Sequence, residues 1–278
     1  MSTRLPFDCG PLGPLASPRD LASGGTYSRS RYLQESTQRF VPGTRQITWD
    51  GRVFKYGKCG ATLESMKYFV FNYNQLVAEK TTPTATVDAA VAGDTVLGLT
   101  VTGATIGVSR NGIIAENELC GGHISIYTSS SDRPQRMIVG NTALAAAGTS
   151  FKIEIDEPIT ATITALTATE IGANPYSDLR RDAGGYASAM GLPCVVAVTD
   201  NFFWIQTWGM CRVSPDNNAN HGHENNRRQF CVDQYGVSQM PAAYDAAKAS
   251  RQNVGFVVER SGSAFGDTAP FVMLQISI

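Results

Sequence analysis

The sequence has few charged residues and no long apolar run. Charged side chains make up 17% of its 278 residues, against roughly 25% in a typical soluble domain. The formal balance of 23 Lys+Arg and 24 Asp+Glu gives a net charge of −1, so counterion release from a basic surface is not expected to drive nucleic-acid binding. No stretch reaches the ~20 apolar residues of a membrane-spanning helix. We expect a surface that is partly buried against other protein chains.

The sequence also shows no signal-peptide pattern in its first ten residues and no CxxC pair of cysteines. Its first ten residues have neither a basic region nor an apolar one, which predicts synthesis and first folding in a cytoplasm. Without a CxxC pair, the cysteines are expected to be buried free thiols rather than disulfides or zinc ligands. The six cysteines are Cys9, Cys59, Cys120, Cys194, Cys211 and Cys231.

Motifs of common enzymes are missing. There is no GxSxG nucleophile elbow, no GK[ST] phosphate loop and no dinucleotide fingerprint in a strand-to-helix context. Asp156 and Glu157 are adjacent, so in a strand they would point to opposite faces and could not act as an acid/base pair. We therefore expect no catalytic residues and no cofactor. A glycosidase built from carboxylates distant in sequence is the alternative that spacing leaves open.

One short segment contains candidate metal ligands: His221, His223 and Glu224. On a strand, the two histidines of an HxH pair would point to the same side and could bind a transition metal. The neighbouring residues are polar and rich in asparagine, which is typical of an exposed loop. The favoured interpretation is a loop without a metal.

Residues 1–45 are interpreted as an extended N-terminal arm. Four prolines lie within the first eighteen residues, and proline removes backbone donors and fixes φ. Because such a segment cannot form a core of its own, we expect it to lie along a neighbouring subunit. The candidate partner-binding residues are its arginines: Arg4, Arg19, Arg29, Arg31 and Arg39.

Residues 46–82 are expected to form a hairpin followed by a short helix. Gln46 to Trp49 and Arg52 to Tyr56 are strand-like on either side of Asp50-Gly51, which favours a two-residue type I′ turn. From Leu63 to Leu76, apolar residues recur mostly at spacings of three and four, which predicts one apolar helical face.

Residues 83–172 are expected to form a central β domain. Short segments rich in Val, Thr, Ala and Ile are separated by glycine, a pattern typical of a β-sandwich or barrel. The segment from Phe151 to Asp156 alternates between apolar and polar residues, so one face of this strand should contact a core. The predicted strands are 95–100, 104–108, 113–115, 123–127, 136–139, 151–155 and 159–165.

Residues 173–278 are expected to be β-rich and to pack in the same body as residues 46–82. A polar connection over 177–191 leads to a hairpin of 194–198 with 202–208, whose second strand is apolar on both faces and should be central. An alanine-rich run, 242–249, has the composition of a short helix. Two final strands cover 254–259 and 271–278. The fold class is therefore mainly β, sandwich or barrel-like, with an extended arm and one or two short helices.

Several of these features together resemble structural proteins of tailed bacteriophages, especially capsid decoration (cement) proteins. The similar features are the arm with prolines and arginines, the Thr/Ala/Gly/Val-rich β domain, the entry from Arg39 to Thr44 into the Trp49-Asp50-Gly51 hairpin, and the strand from Phe203 to Gly209. The resemblance implies a non-enzymatic virion protein on the capsid surface. Its implied partners are the major capsid protein and further copies of itself, as a trimer.

Two other functions stay open. A tail or host-adhesion β-sandwich module would bind carbohydrate through exposed aromatic rings, and Trp204 and Trp208 are the candidate ligand or interface aromatics. Another capsid or tail subunit is the second alternative. If Trp204 or Trp208 were exposed beside the asparagine-rich segment that contains His221, the carbohydrate-binding module would be favoured.

Overall fold

The computed structural model describes residues 31–65, 67–73, 76–78, 85–101, 113–128, 134–146, 148–164, 167–181, 187–213, 228–233, 236, 238–239, 252–259 and 271–277. These residues form strands, turns and isolated bridges, with no helix in the ranges given. The strands are β1 (Arg45–Ile47), β2 (Val53–Lys58), β3 (Val70–Asn72), β4 (Leu76–Ala78), β5 (Ala85–Val87), β6 (Val96–Val101), β7 (His123–Ile126), β8 (Gln135–Asn141), β9 (Ser150–Ile155), β10 (Thr167–Gly172), β11 (Leu179–Arg180), β12 (Ala189–Pro193), β13 (Phe202–Arg212), β14 (Gln229–Val232), β15 (Ser238–Gln239), β16 (Gln252–Glu259) and β17 (Phe271–Gln275). The prediction of a mainly β fold is confirmed.

Six antiparallel strands close into a barrel. They follow the order β10-β5-β6-β9-β8-β7, and β7 pairs with β10 to complete the ring, while β4 adds to β10. The interior is filled by aliphatic side chains such as Leu97, Leu99 and Ile153. In β9, Phe151, Ile153 and Ile155 are buried and Lys152 is exposed, which confirms the alternation predicted for this strand.

The second sheet has ten strands, with the main order β11-β3-β12-β13-β17-β16-β14-β15 and with β2 and β1 attached beside β13. The long strand β13 pairs with β2, β12 and β17. Its residues Phe202 to Thr207 are all buried, so the prediction of a central strand covered on both faces is confirmed. The predicted pair of C-terminal strands is also observed, as β16 and β17.

The first hairpin is observed, but its turn differs from the predicted type. β1 pairs with β2 through Ile47 and Val53. The amide of Gly51 donates to the carbonyl of Thr48 at 2.9 Å, and Gly51 has φ of +80°. The loop therefore has three residues and ends in a glycine with a left-handed backbone. Such loops are common in β-hairpins, as is the two-residue type I′ turn that the sequence predicts. Trp49 therefore lies at the tip of the loop.

The predicted helix from Leu63 to Leu76 is wrong. Leu63 forms an isolated bridge with Ala197, and β3 and β4 occupy the later part of the range. Val70 packs in one core cluster and Phe71 in another, so β3 is apolar on both faces. Tertiary packing on two sides overrides a spacing that also fits a helix. The predicted helix 242–249 lies outside the described residues.

Other boundaries also need correction. The range 177–191, predicted as a polar connection, contains β11 and the start of β12. The partner of β13 in the second hairpin is β12, which ends at Pro193, rather than 194–198. Of the predicted barrel strands, 113–115 and 159–165 contribute only bridges, through Ile114 and Ile163. The segment 104–108 lies outside the described residues.

Where the barrel meets the sheet, Asn174 connects three segments. This buried residue donates from Nδ2 to the carbonyl of Pro42 at 2.6 Å and to that of Cys120 at 3.3 Å, and its Oδ1 accepts from the amide of Tyr176. Among the described residues, no helix is long and apolar enough to cross a membrane.

Candidate functional site

The described part of the arm, residues 31–45, lies on the chain's own sheet. Gln34 accepts hydrogen bonds from the amide of Val198 and the side chain of Asn201. Glu35 forms a backbone bridge with Phe202, with N–O distances of 2.9 and 2.7 Å. This segment therefore packs on the folded body instead of extending away from it, and its contact with a neighbouring subunit stays a prediction.

Two of the five arginines proposed for partner binding are described, and both have contacts within the chain. The guanidinium carbon of Arg31 lies 4.7 Å from the centre of the Phe54 ring. Burial and the neighbouring Arg52 lower the pKa of Arg31. Arg39 pairs with Glu35 at 3.4 Å. Arg4, Arg19 and Arg29 lie outside the described residues.

Trp204 is part of the core. It is 6% exposed, and its ring centre is 5.2 Å from that of Tyr56 and 5.6 Å from that of Phe40. Trp208 is partly buried on the same strand. Because the ring of Trp204 is enclosed by other rings, it does not offer a surface to a ligand.

The strongly exposed tryptophan is Trp49, at the tip of the β1–β2 hairpin. It is 68% exposed, and Tyr32 and Leu33 are 50% and 55% exposed. The Arg52 side chain hydrogen-bonds to the Tyr32 side chain, which connects Tyr32 to the hairpin. We call Tyr32, Leu33 and Trp49 the tip cluster. Sequence reasoning missed it, although an aromatic residue beside Asp-Gly at a predicted turn is a signal of exposure.

An ion pair lies in the hairpin loop beside Trp49. Arg52 Nε donates to Asp50 Oδ2 at 2.7 Å, and the Thr48 hydroxyl donates to Asp50 Oδ1. Partial burial of Asp50 opposes ionisation, but the hydrogen bonds from Thr48 and Arg52 outweigh it and lower the pKa of Asp50. The carboxylate is thus charged at neutral pH and connects Thr48 to Arg52 across the loop.

A second exposed apolar surface lies on the outer face of β13, β16 and β17. It consists of alternate residues on neighbouring strands, whose other face contacts the core. Met210 is 48% exposed, and Phe256, Val258 and Phe271 are exposed to a similar extent. We call these four residues, with the partly buried Met273 between them, the outer patch.

A groove of about 570 Å³ with both polar and apolar lining residues runs between the barrel and the sheet. Its two cationic side chains are both in ion pairs: Lys58 with Asp200 at 3.0 Å, and Arg180 with Asp178 through two hydrogen bonds of 2.9 and 3.1 Å. Glu118 also lines the groove and accepts from the amide of Ala115. Such internal pairing fixes the groove walls.

The described cysteines are free, as predicted for them; Cys9 lies outside the described residues. Burial raises the pKa of Cys59 to about 11, and that of Cys194 and of Cys211 to about 12. Cys59 also donates to the carbonyl of Ala61 at 2.9 Å. Since the thiolate is the reactive form of cysteine, these three buried thiols are not suited to nucleophilic chemistry at neutral pH.

The candidate metal ligands His221, His223 and Glu224 lie outside the described residues. Within the described ranges, no three side chains of His, Cys, Asp or Glu come together in a group that could hold a metal ion.

No family model, curated protein or solved structure matches this chain. The chain's own surfaces are therefore the guide to its function.

Proposed function

We propose that this chain is a non-enzymatic structural protein of a tailed-bacteriophage virion, which binds the outer surface of the capsid and stabilises the shell as a decoration protein. The tip cluster is the observation that supports this proposal. Trp, Tyr and Arg are the residues most enriched among binding hot spots. Here Arg52 interacts with the Tyr32 side chain and forms an ion pair with Asp50, in the same hairpin that carries the exposed Trp49.

The tip cluster lies where the arm joins the folded body. Tyr32 and Leu33 directly follow Arg31, the first described residue. We propose that this cluster contacts the major capsid protein, and that Arg4, Arg19 and Arg29 add contacts to neighbouring subunits. An arginine's planar fork suits interface carboxylates.

Binding to the assembled shell stabilises it by mass action. A protein that binds the lattice but not the free subunits contributes RT ln(1+[L]/Kd) at each site, about 2.7 kcal/mol at a hundredfold excess over Kd. Because the sites repeat over the shell, modest affinity per copy suffices. The proposal requires no cofactor and no reaction.

Co-sedimentation with shells that lack this protein tests the proposal. Trp49→Ala should weaken binding at least tenfold, because a truncated hot spot costs about 2 kcal/mol or more. Val91→Ala is the matched control, since Val91 is similarly exposed, at 59%, on the barrel. Equal binding by both variants and the wild type would contradict a capsid contact at the tip cluster.

The exposure of Trp49 also favours a second function, carbohydrate binding in a tail or host-adhesion protein. An exposed indole beside the Asp50–Arg52 pair offers an apolar ring face and fixed hydrogen-bonding groups, a combination that suits the apolar and polar sides of a sugar. A glycan array distinguishes the two functions: binding that Trp49→Ala abolishes, without any binding to shells, would support the adhesion protein.

A further inference from the structure

The outer patch spans three neighbouring strands, with β17 in the middle. In one cross-strand row, Met273 of β17 is paired with Met210 of β13 on one side and Phe256 of β16 on the other. In the next row, Phe271 is paired with Arg212 on one side and with Glu259 on the other. Val258 is the extra residue of a bulge between the rows. The patch is thus an apolar row beside a row that contains both signs of charge.

This arrangement is complementary to itself. Two sheets can stack face to face with their strands nearly aligned. If a two-fold axis runs between the sheets, parallel to β17, it exchanges the positions of the two strands that flank β17. The β13 position of one copy then faces the β16 position of the other. Phe271 and Met273 meet their own counterparts, as an isologous contact requires.

The charges follow the same exchange. Arg212 is exposed on β13, and the two-fold axis places it opposite the position that glutamate occupies at 259. On the other side of β17, position 259 of the first copy lies opposite Arg212 of the second copy. In the apolar row, Met210 faces Phe256. A two-fold axis perpendicular to the strands, passing through the row of Phe271, would instead bring each Arg212 over the Arg212 of the other copy, where like charges repel.

We propose that two copies of the chain associate through their outer patches, face to face, about a two-fold axis parallel to β17. The association buries apolar side chains that the described chain leaves exposed, and the placement of Arg212 opposite position 259, which occurs twice, fixes its register. It goes beyond capsid binding, since it forms without a capsid. A two-fold contact joins chains in pairs, and so differs from the trimer that the phage resemblance implies.

The size of the patch sets the expected affinity. Its five apolar residues and two charged positions are fewer than the roughly 20–30 residues a side of a standard interface. We therefore expect a micromolar dimer of the free chain. On a shell, neighbouring bound copies would be held at high effective concentration, where a weak contact is sufficient.

Sedimentation velocity of the full-length chain, over about three decades of concentration around the micromolar range, tests the proposal through charge reversal. Arg212→Glu places two like-charged pairs in the dimer, and Glu259→Arg does the same with the opposite sign. Each variant alone should associate at least tenfold more weakly than the wild type. An equimolar mixture of the two should dimerise again, because both contacts become attractive.

Matched controls separate this contact from a loss of folding or another interface. Both variants should keep the wild-type far-UV circular dichroism spectrum, and the recovery in the mixture itself requires folded chains. Met137→Ser changes a similarly exposed residue on the barrel and should leave the dimer intact, whereas Met273→Ser should weaken it. A wild-type chain that stays monomeric throughout, an oligomer that the reversals do not affect, or a mixture that fails to recover would overturn the proposal.

Discussion

Asn174 donates a hydrogen bond of 3.3 Å from its side chain to the carbonyl of Cys120, 54 residues earlier in the chain. The same amide group donates to the carbonyl of Pro42 in the arm segment. A single buried side chain therefore joins the last barrel strand, a barrel turn and the segment that leads into the sheet. Its hydrogen bonds connect the barrel to the segment that leads into the second sheet.

Replacing Asn174 by alanine should destabilise the whole chain. The substitution leaves the carbonyls of Pro42 and Cys120 and the amide of Tyr176 without their partner, at a cost of about 1–3 kcal/mol. Urea unfolding measures the loss. Gln135→Ala, at an exposed position of β8, is the control, and equal unfolding midpoints for the two variants would contradict the bridging role.

Phe40→Ala tests whether residues 31–45 belong to the folded body. The Phe40 ring lies 5.3 Å from that of Tyr56 and packs on the cluster around Trp204. Because Phe40 is partly exposed, we expect a loss of about 2 kcal/mol, below the roughly 3–5 kcal/mol of a fully buried phenylalanine.

Leu33→Ala is the comparison, since Leu33 lies in the same segment but is 55% exposed. Its free energy of unfolding should stay within about 0.5 kcal/mol of the wild type. If Phe40→Ala also leaves the free energy of unfolding unchanged, the segment does not stabilise the fold.

The sequence predicts those strands whose side chains alternate or flank a turn. β9 alternates, and β1 and β2 surround Asp50-Gly51, so both features were found. The sequence fails at β3, because Val70 and Phe71 contact cores on opposite faces. A run that is apolar on both faces has no period that separates a strand from a buried helix.

The two tryptophans show why the candidate site was harder to predict. Burial of Trp204 follows from the prediction that β13 is central and covered on both faces, whereas residue type alone makes Trp204 a candidate ligand aromatic. Trp49 is exposed because it lies in the hairpin loop. The outer patch depends on the register of β13, β16 and β17, whose residues lie up to about sixty positions apart in the chain, and long-range register is not encoded in local spacing.

Two glycines should respond differently to substitution by alanine. Gly255 has φ of +149°, and an added Cβ would overlap the backbone oxygen of Met273, so we expect Gly255→Ala to disrupt the β16–β17 pairing at a cost of at least about 3 kcal/mol. Gly51 has φ of +80° but open space around it, and its substitution should cost only about 1 kcal/mol. Thermal unfolding compares the two, and the reverse order would contradict the β16–β17 geometry.

The buried thiols should make stability depend on pH. Folding raises the pKa of Cys194 and of Cys211 from 9.0 to about 12, so the folded state retains protons that the unfolded state releases. Their contribution to stability is complete below about pH 9 and is lost as the pH rises towards 12. The urea midpoint of the wild type should therefore fall above about pH 9. A variant with alanine at both positions should show a smaller fall, and an identical fall would exclude these thiols as the cause.

The shell itself provides the most direct test of the proposed function. Shells lacking this protein are heated with increasing amounts of the purified wild-type chain, and their disruption temperature is recorded by light scattering. We predict that this temperature rises with the concentration of the chain and reaches a plateau when the sites are filled. A disruption temperature that does not change at any concentration, with the chain remaining in the supernatant, would contradict the account.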